Sequence, residues 1–93
     1  MREVLRLDDV LRLPRGVRLR FDEVRGTHVL LAPERTFDLD AVAADVLSFV
    51  DGIRSVDGIV AALSEKYLED RAVIEHDVIG LLDELCRKRV LDR

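Results

Sequence analysis

The fold class is set by residues 35–50, which read RTFDLDAVAADVLSFV. Over 35–39 apolar and polar residues alternate, a period of two that predicts a short strand. From residue 41 to residue 50 the apolar residues recur at helical spacing instead. Asp40, at the junction, is a residue type that caps helix N-termini. The chain is therefore expected to pass from strand to helix at residue 40.

Two more strands are predicted before this junction. Residues 17–22 read VRLRFD and alternate strictly, and residues 27–31 read THVLL and are rich in strand-forming residues. The turn between them contains Gly26, which is free to adopt a positive φ, and the second turn contains Pro33. Three short strands with tight turns predict an antiparallel meander.

Two more helices are predicted after the junction. Ser55 and Asp70 are suitable N-caps, and the apolar periodicity that follows each predicts helices over 56–67 and 71–88. The order is then three strands followed by three helices, an α+β fold, and the last two helices form a helix-turn-helix with the sheet as its wing. Gly80 lies inside the last helix and indicates either close packing or a tolerated weak point.

Residues 1–13 are expected to form a flexible arm or linker ahead of a domain that spans 14–93. Val4, Leu7 and Leu11 have helix-like spacing, but Pro14 would end any helix there and the segment is too short to be stable alone. A docking arm is the alternative interpretation.

Composition restricts the class of function. The chain has 93 residues and a net charge of −4, from 15 basic and 19 acidic side chains. The region after residue 35 contains 13 of those acids and 7 of the bases, so the helical half would repel a phosphate backbone. A single cysteine and the lack of a secretory signal core predict a cytoplasmic location.

No catalytic or metal-binding pattern is apparent. The two histidines, His28 and His76, lie on different predicted elements, and no paired Cys or His spacing typical of metal sites occurs. Cys86 falls in an apolar stripe and is interpreted as a small buried side chain. No glycine-rich phosphate loop is present. The sequence therefore predicts a binding protein without enzymatic activity, metal or cofactor.

Two features indicate where binding occurs. A three-stranded meander has open edges, which can accept an incoming strand. The last helix is apolar around more than half of its circumference. One stripe, near Val73, Leu81 and Cys86, is expected to serve the core, and a second is expected to remain partly uncovered: Ile74, Val78, Leu82 and Leu85. An ordinary core helix explains the pattern equally well.

Several segments resemble the PqqD family. They are RGVRLR at 15–20, VLLAPER at 29–35, Leu39-Asp40, Val50-Asp51-Gly52, Ser55-Val56 and Ile59-Val60. Their order and spacing extend the resemblance over residues 14–93, and LLAPER at 30–35 is the most distinctive piece.

The resemblance implies a winged helix-turn-helix that recognises ribosomally made, modified peptides. In pyrroloquinoline quinone (PQQ) biosynthesis such proteins bind the precursor peptide PqqA and deliver it to the radical S-adenosylmethionine enzyme PqqE; some are fused to PqqC. In related domains the leader peptide adds as a strand to the third strand and fills the cleft beside the third helix. Carried over by position, the implied peptide site is Arg35, Thr36, Phe37, Asp38, Leu39, Ile74, Val78, Leu81, Leu82 and Leu85.

Two alternatives stay open at this point. A recognition element of another modified-peptide pathway would keep the fold and the groove but change the cargo. A winged-helix DNA-binding regulator would keep the fold, but the acidic helical half opposes it.

Overall fold

A computed structural model describes residues 5–93, and these form three strands followed by three helices. The strands form one antiparallel sheet in the order β1-β2-β3, with β2 in the middle. This architecture confirms the predicted α+β order. The elements are β1 (Arg18–Asp22), β2 (Thr27–Ala32), β3 (Arg35–Leu39), α1 (Ala41–Ser48), α2 (Val56–Tyr67) and α3 (Arg71–Arg87).

All three predicted helix caps are present. The Asp40 carboxylate accepts a hydrogen bond of 2.7 Å from the amide of Ala43, so β3 passes directly into α1. The side chains of Ser55 and Asp70 accept equivalent bonds in the first turns of α2 and α3. A cap of this kind typically contributes about 1 kcal/mol, because it satisfies an amide that has no partner within the helix.

The two tight turns of the sheet require positive backbone φ angles. Gly26, between β1 and β2, has φ of 70°, as its position in the turn predicts. Glu34 follows Pro33 between β2 and β3 and has φ of 61°, which is unusual for a residue with a side chain. The second turn sets the register in which Leu30 faces Phe37 across the sheet.

The core lies between one face of the sheet and the three helices. Leu30, at the centre of β2, is fully buried, and α2 contributes the largest share of the inaccessible side chains. Burying one such aliphatic side chain stabilises the fold by about 1.5–3 kcal/mol. The largest fully buried side chains are Leu11, Leu30, Leu47, Ile59, Leu63, Leu82, Val46, Val56, Val60 and Val90.

The expectation of a flexible arm is wrong for residues 5–13. Leu5 and Leu11 are buried in the core, with 5% and 1% exposure. Carbonyl groups of this segment accept hydrogen bonds from Val56 and Asp57, whose amides in the first turn of α2 have no partner within the helix. The rest of the predicted arm, residues 1–4, lies outside the described residues.

The same segment also ties down the end of the chain. Arg12 and Asp92 exchange two backbone hydrogen bonds, of 2.9 and 3.0 Å, and form an isolated antiparallel bridge. The partners of residues 5–13 lie more than 40 positions away in the sequence, so local periodicity could not reveal them.

Gly80 is a weak point of α3 and not a packing contact. A Cβ atom placed on it would meet no neighbouring atom within 4 Å. The alternative of close packing is therefore excluded.

Among residues 5–93, no helix is long and apolar enough to cross a membrane.

Candidate functional site

The β3 strand forms one edge of the sheet. Within the described part of the chain it pairs only with β2, in the register that places Arg35 opposite Ala32 and Leu39 opposite His28. In an antiparallel edge strand, alternate residues direct their N–H and C=O groups away from the neighbouring strand. The edge therefore offers backbone donors and acceptors to an added strand.

Side chains alternate between the two faces of β3. Leu39 is buried and Phe37 half-buried against the core, so the face shared by Arg35, Phe37 and Leu39 is directed toward the helices. Thr36 and Asp38 are exposed and belong to the opposite face.

On that opposite face, Asp38 is held by a two-pronged ion pair. The Arg25 guanidinium reaches across from the β1–β2 turn and donates to both carboxylate oxygens, at 2.8 and 3.1 Å. The hydrogen bond to Asp38 raises the pKa of Arg25 above its usual value. Thr36 and Asp38 can therefore serve a peptide site through their backbone, but their side chains lie outside the cleft.

The surface between β3 and α3 is called the cleft here, and contacts between the two elements mark one end of it. There Arg35 Nη1 donates a hydrogen bond of 2.8 Å to the carbonyl oxygen of Lys88, just beyond the end of α3. The Lys88 Nζ atom and the Arg35 guanidinium lie 5.5 and 5.6 Å from the Phe37 ring centroid. Two cations and one aromatic ring thus join the start of β3 to the end of α3.

At the other end, next to the last residue of β3, α1, α2 and α3 enclose a pocket of about 330 Å³. It lies where β3 passes into α1, against the first half of α3 and the end of α2. Its walls are mostly aliphatic, with two carboxylates and one phenol among them. The lining residues are Asp40, Val42, Ala43, Val46, Leu63, Tyr67, Ile74, Asp77, Val78 and Leu81.

The two apolar stripes of α3 have the reverse of the expected roles. Ile74, Val78, Leu82 and Leu85 were expected to be partly uncovered, but all four are buried, with 8% exposure or less. Val73, expected in the core, is 46% exposed, and Leu81 and Cys86 are only partly buried. The reason is that α2 packs against α3 and covers the first stripe.

Only some of these α3 residues lie where a ligand in the pocket could touch them. Leu81 is half-buried and lines the pocket. Ile74 and Val78 form part of the pocket wall despite their low exposure. Leu82 and Leu85 are buried and absent from the lining.

Tyr67 is fixed at the pocket by a small polar cluster. Its hydroxyl donates to the Asp45 carboxylate, which also accepts an ion pair of 3.0 Å from Lys66. The hydrogen bond from Tyr67, followed by that from Lys66, lowers the pKa of Asp45 below its usual value. The same hydrogen bond raises the pKa of Tyr67 above 10.0. The ring is therefore anchored at its polar end while its body lines the pocket.

Sequence reasoning missed most of the pocket residues on α1 and α2. Val42, Leu63 and Tyr67 fall within the apolar periodicity that predicts the first two helices, and Asp40 is predicted only as a helix cap. Val42 and Tyr67 are in fact 48% and 38% exposed. The only local signal was the position of Asp40 and Val42 directly after the edge strand.

No group of three or more potential metal-ligating side chains occurs within residues 5–93. Partial burial raises the pKa of the Cys86 thiol above its usual value, which lowers the fraction of reactive thiolate. The site offers shape, apolar surface and backbone hydrogen bonds, which are the elements of recognition.

The fold and the cleft define a winged-helix-like domain with an open strand edge beside a helix groove. The family model described as Coenzyme PQQ synthesis protein D (PqqD) matches residues 27–91. The chain belongs to the PqqD family.

Two relatives illustrate the similarity. The bifunctional coenzyme PQQ synthesis protein C/D of Methylorubrum extorquens is 60% identical over 85 residues, which are 91% of this chain and 23% of that longer protein. The chain thus spans about a quarter of that relative. A PqqA binding protein of Rhodopseudomonas palustris (strain BisB5) is 47% identical over 79 residues, covering 85% of this chain and 78% of the relative.

Two solved structures have the same fold. The solution structure of the PqqD truncation of Methylobacterium extorquens PqqCD, a stand-alone recognition element for ribosomally synthesised and modified peptides, matches with a TM-score of 0.85. Its identity is 57%, over 97% of this chain and 96% of that one. TbiB1 in complex with the TbiA(beta) leader peptide matches with a TM-score of 0.75 and 26% identity, over 87% of this chain and 94% of that one.

Proposed function

We propose that this chain is a non-catalytic recognition element that binds the precursor peptide PqqA and presents it to the radical S-adenosylmethionine enzyme PqqE in the cytoplasm. The observation that carries the proposal is the open edge of β3 beside an apolar pocket on α3. Membership of the PqqD family and the similarity to PqqA binding proteins support the choice of cargo.

The proposed peptide lies along Arg35–Leu39 as a fourth strand. Backbone hydrogen bonds to the β3 edge supply sequence-independent affinity, and side chains that enter the cleft supply selection. Phe37 on β3 and Leu81 on α3 are partly buried side chains that the proposed peptide contacts, and Ile74 and Val78 line the pocket with Leu81. Leu82 and Leu85 are buried and make no direct contact.

A chemical-shift titration tests the site. Synthetic PqqA of Methylorubrum extorquens is added to the ¹⁵N-labelled chain, and the largest amide changes are expected over 35–43 and 74–81. Changes confined to residues 5–30, or no change at high peptide concentration, would contradict the proposal.

A pair of matched variants separates the two edges of the sheet. Leu81→Asp places a charge on the lining of the pocket and is expected to abolish binding without unfolding the chain. Phe21→Asp on β1, at the opposite sheet edge, alters a side chain that is 49% exposed and is expected to leave binding unchanged.

Presentation to PqqE is tested by the reaction of that enzyme. PqqE is expected to modify PqqA faster with the wild-type chain than with Leu81→Asp or without the chain. Equal rates in all three mixtures would contradict the role in presentation. Turnover of PqqA by the chain alone would contradict the non-catalytic assignment.

The partner PqqC enters the proposal through the Methylorubrum relative, in which C and D are parts of one bifunctional protein. Proximity of this chain to PqqC is proposed by analogy with that relative.

A second cargo class has one observation in its favour. The fold also matches TbiB1, a domain in complex with a different leader peptide, although only 26% of residues are identical. Tighter binding of the TbiA(beta) leader than of PqqA would favour another modified-peptide pathway.

A further inference from the structure

The pocket end of the β3–α3 cleft is acidic. Asp40 and Asp77 both line the pocket, and within residues 5–93 neither has a cationic side chain as an ion-pair partner. Among residues 5–93, the Asp40 carboxylate accepts a hydrogen bond only from the amide of Ala43. Asp45, by contrast, is neutralised by Lys66. Two carboxylates therefore border an apolar pocket without compensating charge.

The end of the cleft marked by Arg35 and Lys88 is basic. Arg35 donates to the Lys88 carbonyl, which is uncharged, so the guanidinium keeps its full charge beside Phe37. Lys88 pairs with Glu84 at 3.2 Å, but both side chains are about half exposed and such pairs are weak. The cleft thus changes sign along its length, from negative beside Asp40 to positive beside Arg35.

Charges at the two ends of a strand-binding groove can select the peptide and fix its direction, which backbone hydrogen bonds alone cannot do. The hydrogen bonds of an added strand are nearly the same for every sequence and are possible in both directions. Charge complementarity distinguishes between partners, because a like charge placed opposite is unfavourable.

We propose that this cleft selects and orients a peptide segment of defined charge order. The segment has an apolar anchor in the pocket, a cation beside Asp40 and Asp77, and a carboxylate near Arg35 and Lys88. The inference rests on the proposed function, since it requires a strand on β3. It adds the specificity-determining residues and the charge class of the ligand.

The first test removes the acidic rim. Asp40→Asn and Asp77→Asn are combined, since asparagine retains the capacity to cap α1. Affinity for Methylorubrum extorquens PqqA is measured by calorimetry, and Glu23→Gln, in the exposed β1–β2 turn, is the control for loss of a carboxylate charge outside the cleft. The double variant is expected to bind about fivefold more weakly at low salt. The difference should disappear near 1 M salt, where the screening length is about 3 Å.

The second test exchanges charges between the partners. Each Lys or Arg of the peptide is changed to Gln in turn. One such change is expected to lower the affinity for the wild-type chain as much as the double variant does, and to cause no further loss of affinity when combined with that variant. Asp77→Lys should weaken the binding of wild-type peptide. A peptide with Glu in place of the cation identified by the Gln substitutions should recover affinity for this variant.

The third test reads the direction of the peptide. A nitroxide label is placed on the peptide terminus nearer the Lys or Arg identified in the second test. It is expected to broaden amide signals around Asp40 and not those around Lys88. Broadening around Lys88 would overturn the inference. Normal shifts on β3 with unchanged affinity in the double variant would overturn it too, while leaving the proposed function intact. Absence of any PqqA binding to the wild-type chain would overturn both.

Discussion

The two apolar sides of α3 look equivalent in the sequence but differ in the folded chain. The stripe that contains Val78 and Leu82 is buried, with 2% and 0% exposure. The other side, which contains Val73 and Leu81, borders solvent and the cleft. An apolar residue on a helix can therefore be either a core contact or a ligand contact. Which of the two it is depends on whether another element packs against that side of the helix.

The burial of Val78 makes this residue unsuitable for a test of peptide binding. A charge at Val78 would be expected to weaken peptide binding if that side chain were open to the cleft. Because Val78 is 2% exposed, the charge would instead be buried without a partner and would unfold the domain. Variants at Leu81 are the cleaner tests of binding.

The largest expected effect comes from the buried side. Leu82→Ala should lower the free energy of unfolding by about 2–5 kcal/mol, because it leaves a cavity at a position with 0% exposure. Chemical denaturation measures this change. Val73→Ala on the other side is the control and should change stability by less than about 0.5 kcal/mol. Similar losses in both variants would break the distinction between the two sides.

The next effect concerns the accessible side. Leu81→Ser should reduce PqqA affinity by about 1–2 kcal/mol, or roughly five- to thirtyfold, since a contact in the pocket is lost. Titration calorimetry gives the affinity, and denaturation of the same sample reports the cost to stability. If stability falls by more than affinity, Leu81 belongs with the core stripe.

A smaller, stabilising effect is expected at Gly80. The position is helical and a Cβ atom there meets open space, so Gly80→Ala should raise the free energy of unfolding by about 0.8–1.0 kcal/mol. Thermal and chemical denaturation measure the gain. Unchanged PqqA affinity would separate Gly80 from the cleft, whereas a loss of affinity would place it in the binding surface.

The smallest expected effect is the pH dependence of the stability contributed by the Tyr67–Asp45 hydrogen bond at the pocket. The hydrogen bond to Asp45 raises the pKa of Tyr67, so the stability it contributes is present below pH 10 and lost as pH rises through the folded-state pKa. The lowered pKa of Asp45 acts at the other limit: its contribution is present above about pH 4 and is lost as pH falls.

This titration can be followed directly, because the chain has one tyrosine and no tryptophan. Tyrosinate absorbance should rise with a midpoint above 10, and Asp45→Asn should move the midpoint back toward 10. Circular dichroism across the same range verifies that the chain is still folded. An unchanged midpoint in Asp45→Asn would disprove the anchoring of the ring by that carboxylate.

The order and bounds of the elements could be predicted because their signals are local. The alternation over 35–39 and the caps Asp40, Ser55 and Asp70 act within a few residues of themselves, and the structure has each where it was expected. The edge strand of the candidate site followed from the same signals, since a meander leaves its outer strands with one free side.

The sequence by itself thus determined the α+β order, the turns and the helix starts, and the resemblance to PqqD determined the family. Tertiary structure alone decided that residues 5–13 pack against α2 and Asp92. It also decided which stripe of α3 is buried and that Asp40 and Asp77 meet at one pocket. The physical reason is common to all three: local structure depends on spacing along the chain, whereas burial depends on which distant surface arrives to cover it.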